Sequence, residues 1–81
     1  MSRENVLERL NHIFWDVFDD DGISVNENTV ADDIEDWDSL MHINLILAVE
    51  NEFGVKFTLQ EVVDFSNVGE IIDVLIIRAT K

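Results

Sequence analysis

The sequence has 81 residues, 47% of them apolar and 28% charged, which gives enough apolar side chain for one small core and excludes both a disordered composition and a two-domain enzyme. With 5 Lys and Arg against 18 Asp and Glu, the formal charge is −13; such a surface repels nucleic acid and anionic membranes and favours basic protein partners. There is no Cys, so neither disulfides nor a thiolate metal site supports the fold, and packing alone must do so.

In chain order, residues Met1 to Asn5 carry no secretion, transit or lipidation signal, and a soluble cytoplasmic protein is expected. Val6, Leu7, Leu10, Ile13, Phe14, Val17 and Phe18 then recur at three- and four-residue intervals, which predicts a first helix with one buried face. It should stop near Asp19-Asp20-Asp21-Gly22, because Gly accepts the left-handed conformation that ends helices and three acids oppose the negative end of the helix dipole.

A long loop follows. From Asp16 to Asp38 there are ten acidic residues and no Lys or Arg. Ile23, Val25, Val30, Ile34 and Trp37 are spaced through it, and they predict an ordered loop pinned to the core rather than a solvated tail.

Leu40, Ile43, Ile46, Leu47, Val49 and Phe53 predict a second helix, with Asp38 or Ser39 capping its start and Gly54 closing it. The longest near-apolar run, Ile43 to Val49, is interrupted by Asn44 and falls far below the ~20 residues that span a bilayer. Val55-Lys56-Phe57 alternates like a strand but is too short for a sheet, so a loop is expected. Thr58-Leu59-Gln60-Glu61 has the form of a capping box and predicts a short third helix. Asn67 with Glu70 is a weaker start signal for a fourth, built on Val68, Ile71, Ile72, Leu75 and Ile76, with Arg78 favourably placed in its last turn. The pattern as a whole predicts a single all-α domain over residues 1–81, an antiparallel four-helix bundle of three long helices and one short.

Chemistry concentrates where the loop meets the second helix, at Asp36-Trp37-Asp38-Ser39-Leu40-Met41. A serine in the first helical turn has its hydroxyl beside free backbone amides and the positive end of the dipole, a setting that stabilises an attached phosphate. The simpler reading of Asp-Ser before an apolar run is a helix cap.

Asp38-Ser39-Leu40 at mid-chain, followed by Ile43, Leu45, Ala48-Val49-Glu50 and Glu52-Phe53-Gly54-Val55, resembles the acyl carrier protein family, and the likeness covers nearly the whole chain. The resemblance implies that a phosphopantetheinyl transferase attaches 4′-phosphopantetheine from coenzyme A to Ser39, and that the thiol of this arm carries acyl cargo as a thioester. It also implies that Asp38 lies on the metal side of the transferase site. Leu40, Met41, Glu50 and Glu52 would then meet partners, namely acyl-loading and acyl-using enzymes with basic docking patches. Leu40 has core or half-buried surface as its simpler role. Met41, Asn44 and Asn51 stand where fatty-acid-type carriers place acids, and Trp37 where they place a small residue. These departures point to a specialised rather than a housekeeping member, serving fatty acid, polyketide or related biosynthesis. Trp37 is read either as a partner contact or as an anchor for the loop. Ile43, Leu47, Phe57, Leu59, Val63 and Ile72 could line an acyl cleft, and ordinary core packing explains them equally well.

Other readings are open to test. A D-alanyl or other aminoacyl carrier also uses Asp-Ser, whereas peptidyl carriers have Gly and His ahead of the serine, where this chain has Trp37-Asp38. A catalytic Ser39–His42 pair lacks a Gly-x-Ser-x-Gly elbow and a substrate cleft, so a non-enzymatic carrier is expected. His12 and His42, one on each of two helices, predict partly exposed side chains and no metal site. Setting Gly22 at the sixth position of a calcium loop puts Val17 first and Asn28 twelfth, where Asp and Glu are required, so the EF-hand pattern fails. Weak cation binding by the acidic loop is all that this reading leaves. The large net charge and the lack of a coiled-coil seam predict a monomer.

Overall fold

Ser2 begins the first helix by accepting the Asn5 N–H on its hydroxyl at 3.1 Å, satisfying one of the amides that a helix start leaves open. In a computed structural model that describes residues 1–81, α1 therefore spans Arg3–Phe18, three residues longer at its start than the apolar pattern predicts. The added turn is polar, so periodicity alone had no signal there. The helix stops where expected, but by a different residue. Asp19, not Gly22, takes the left-handed conformation with φ 53°, and its N–H bonds the Trp15 carbonyl; Asp is among the few non-glycine residues that tolerate it.

The remaining elements are a 3-10 turn at Ala31–Asp33, α2 at Ser39–Phe53, α3 at Leu59–Asp64 and α4 at Val68–Arg78, with no strand. Both side-chain start signals act as the sequence suggests. The Thr58 hydroxyl and Glu61 carboxylate form a reciprocal capping box on α3, and Asn67 accepts the Glu70 N–H at 3.0 Å. Gly54 ends α2 with φ 62°, a conformation that only Gly adopts without a steric cost.

The core is built from Val6, Leu10 and Phe14 of α1, Leu45, Val49 and Phe53 of α2, and Val68, Ile72 and Leu75 of α4, all fully buried. No helix is long and apolar enough to cross a membrane. Helix α3 contributes no buried residue; it lies against the core only through half-buried Val62, with Phe57 and Phe65 in edge-to-face contact flanking it at 5.4 Å.

The acidic loop is fastened along its middle, at residues 25–29. Asn11 of α1 accepts the Val25 N–H at 2.7 Å and donates to the Val25 carbonyl at 3.2 Å. The Glu27 and Thr29 carbonyls accept the Gly69 and Val68 N–H groups at 2.8 and 3.0 Å, so the loop satisfies the open amides at the start of α4. A Cβ on residue 69 would sit 2.9 Å from the Glu27 carbonyl oxygen, which is why glycine stands there. Arg3 adds an ionic link, bonding Glu27 at 2.5 Å and Asp73 at 2.8 Å, and it holds the Glu27 carboxyl below the ordinary 4.5.

Candidate functional site

Asp38, the residue before α2, has extended backbone, and its carboxylate accepts the Met41 N–H at 2.9 Å. The cap is thus supplied by Asp38 and not by Ser39. Ser39 is exposed at the first position of α2, and its hydroxyl has no hydrogen-bond partner. The N–H groups of Ser39 and Leu40 are likewise unpartnered, whereas those of Met41 and His42 bond Asp38. A phosphate ester on the Ser39 oxygen would find two open amides at the positive end of a helix whose first turn holds no acid. These residues fit a phosphate-linked group.

Trp37 places the serine. It is buried, packs edge-on against Phe14 at 5.2 Å and Phe18 at 6.3 Å, and stacks on His42. Burial among these rings fits the anchor role. His42 is half-buried and has both ring nitrogens engaged, Nδ1 accepting from Trp37 Nε1 at 3.1 Å and Nε2 meeting the Val62 carbonyl at 2.9 Å. Neither nitrogen is available to activate Ser39 as a catalytic pair requires.

Beside Ser39 runs a groove of about 500 Å³ between α2 and α3, lined chiefly by Trp37, His42, Ile43, Leu59, Val63 and Ile71. Of the six candidate cleft residues, Ile43, Leu59 and Val63 line it. Ile72 is fully buried in the core, and Leu47 and Phe57 lie outside the lining. The apolar pattern cannot separate the two, because groove and core draw on the same residue types.

The surface of α2 that follows the serine is uncharged. From Ser39 to Val49 there is no Asp, Glu, Lys or Arg; Leu40, Ile43 and Leu47 are exposed and Met41 is half-buried. Leu40 therefore lies outside the core. The two acids further along are occupied within the molecule. Glu50 accepts the Phe57 N–H at 2.8 Å, and Glu52 pairs with Arg9 at 2.8 Å. Sequence reasoning missed both engagements, since Arg9 lies 43 residues from Glu52 and no local pattern links them.

A family pattern described as the phosphopantetheine attachment site matches residues 16–75. The acyl carrier protein of Lactobacillus acidophilus is 31% identical over 70 residues, covering 86% of this chain and 88% of that protein. The solution NMR structure of a holo acyl carrier protein from Geobacter metallireducens is similar with a TM-score of 0.82 at 43% identity, over 89% of this chain and 83% of that one. Fold and site together define a carrier that bears a covalent phosphopantetheine group. The chain belongs to the acyl carrier protein family.

Proposed function

We propose that Ser39 is the residue that bears the group, and that the chain acts as a single non-catalytic carrier domain delivering acyl intermediates to the enzymes of a specialised biosynthetic route. One observation carries the assignment to Ser39: Asp38 caps α2, which frees the neighbouring hydroxyl and two backbone amides. In the transfer, the Ser39 oxygen forms a phosphoester bond to the pantetheine-side phosphorus of coenzyme A. The pyrophosphate bridge breaks, adenosine bisphosphate leaves with the bonding pair, and the hydroxyl proton passes to the transferase. The attached arm supplies a thiol that this chain, with no Cys, does not itself possess, and the thiol holds acyl groups as thioesters. Ser39 and Leu40 N–H groups steady the phosphate, and the groove walled by Ile43, Leu59 and Val63 offers the first carbons of a cargo chain shelter from water.

The docking chemistry follows from the uncharged face of α2. With Glu50 and Glu52 engaged internally, a partner approaching Ser39 meets Leu40, Ile43 and Leu47 first, so its complementary surface is apolar at the centre. Basic residues suit only its rim, opposite Glu35 and Asp36. A phosphopantetheinyl transferase and acyl-loading and acyl-using enzymes are the partners this reading names.

The test is intact mass after incubation with coenzyme A, magnesium and a promiscuous phosphopantetheinyl transferase. One added phosphopantetheine group, absent in Ser39→Ala, is expected. An unchanged mass in folded protein, with the transferase active on a control carrier, overturns the assignment.

A further inference from the structure

The short helix α3 is the outer wall of the groove, yet none of its six residues is buried. Apart from half-buried Val62, what holds it near Ser39 is therefore a few polar links. One of them comes from α2 itself. The Ser66 N–H, which would otherwise close the last turn of α3 on the Val62 carbonyl, donates instead to Glu70 at 2.8 Å. That leaves the Val62 carbonyl open at a helix end, and His42 Nε2 reaches it at 2.9 Å.

The two contacts of His42 fix its protonation pattern. The Trp37 indole nitrogen can only donate, so Nδ1, at 3.1 Å, must be the bare acceptor; the ring proton then sits on Nε2 and points at a carbonyl, which can only accept. Both bonds demand the same tautomer. The ring also stacks on Trp37 with centroids 5.9 Å apart, and Trp37 is packed on Phe14 and Phe18 of α1. An unbroken line of contacts thus runs from α1 through Trp37 and His42 to the backbone of α3.

We infer that His42 is a positioning residue: through the Trp37-set imidazole it clasps α3 to α2 and so sets how far the groove beside Ser39 stands open. The inference about the clasp is independent of what Ser39 carries. Its consequence for cargo rests on the carrier reading.

Two measurements on the unmodified chain test the clasp. Nitrogen-15 spectra of the His42 ring should show the proton on Nε2 and none on Nδ1. Amide hydrogen exchange in α3 should quicken about fivefold in His42→Phe, the factor for one lost hydrogen bond of ordinary net strength, while α1 and α4 keep their protection. His42→Gln, which retains a donor able to reach Val62, should restore most of it. A proton on Nδ1, or unchanged α3 exchange in His42→Phe, overturns the clasp; were the Phe variant unfolded, the wild-type ring spectrum and the Gln variant would still decide. A third measurement takes the chain charged with an octanoyl thioester on its arm. Cleavage by hydroxylamine should be faster in His42→Phe by up to the same factor, and an equal rate overturns the link to the groove. Failure of Ser39 to accept the arm would be seen beforehand as an unchanged mass, with the exchange results unaffected.

Discussion

Helices α3 and α4 are neighbours in the chain, separated by Phe65, Ser66 and Asn67, and they are attached to the molecule by different kinds of force. Helix α4 buries Val68, Gly69, Ile71, Ile72 and Leu75, and each large apolar side chain so placed is worth about 1.5–3 kcal/mol. Helix α3 buries none. Apart from half-buried Val62, it is held by the ion pair of Glu61 with Arg78 and by the His42 bond to Val62, links that individually contribute about 1 kcal/mol or less. The contrast shows how one small domain keeps a rigid frame and a yielding wall side by side: the frame is secured by burial, and the wall by polar contacts that can be broken one at a time.

The largest effect that separates the two is expected from Leu75→Ala, which empties a fully buried site in α4 and should cost about 2–5 kcal/mol in urea unfolding. In so small a domain this is a large part of the total stability. Next come the two helix caps. Asn67→Ala and Thr58→Ala each remove one side-chain cap, worth about 1 kcal/mol. The first should lower the global unfolding midpoint, because α4 belongs to the core. The second should appear mainly as faster amide exchange confined to α3.

A smaller effect is expected in acid. The Thr58 backbone N–H, helped by Arg78, holds Glu61 below the ordinary 4.5, against a lesser opposing effect of lost solvation. A carboxylate depressed in the folded state stabilises above its unfolded value and loses that contribution as the pH falls through its folded value. Exchange protection in α3 should therefore decline below pH 4.5, and Glu61→Gln should flatten that decline. The smallest effect is expected from Val63→Ala, at an exposed position of α3, with global stability unchanged to within about 0.5 kcal/mol. A loss there comparable to that of Leu75→Ala would mean that α3 belongs to the core after all.

What could be read in the sequence was what repeats locally. The period of α1, α2 and α4, the Thr58–Glu61 box, the Asn67 start and Gly54 all depend on residues within one or two turns of each other, and each appears in the structure. The Asp-Ser-Leu junction was legible as a candidate site for the same reason. What could not be read depends on side-chain partners that no repeating pattern marks. Arg9 pairs with Glu52 and Glu50 accepts the Phe57 N–H, so the two acids of α2 that the family resemblance offers to partners are already engaged within the molecule. Asp38 and Ser39 were equally good caps on paper, and only backbone geometry distinguishes them. Likewise His42 is half-buried, in keeping with the partly exposed side chain expected, but nothing in the sequence marks its bonds to Trp37 and Val62.

The uncharged stretch from Ser39 to Val49 has a kinetic meaning in a chain of charge −13. For the basic-rimmed partner proposed above, long-range attraction from the acidic loop would govern how often it arrives, and added salt would weaken it. On the docking face proposed above, Leu40, Ile43 and Leu47 would hold such an enzyme by contacts that salt does not screen. Ionic strength should then alter the association rate and leave the residence time nearly constant, separating the search for a partner from the time allowed for handing over the cargo.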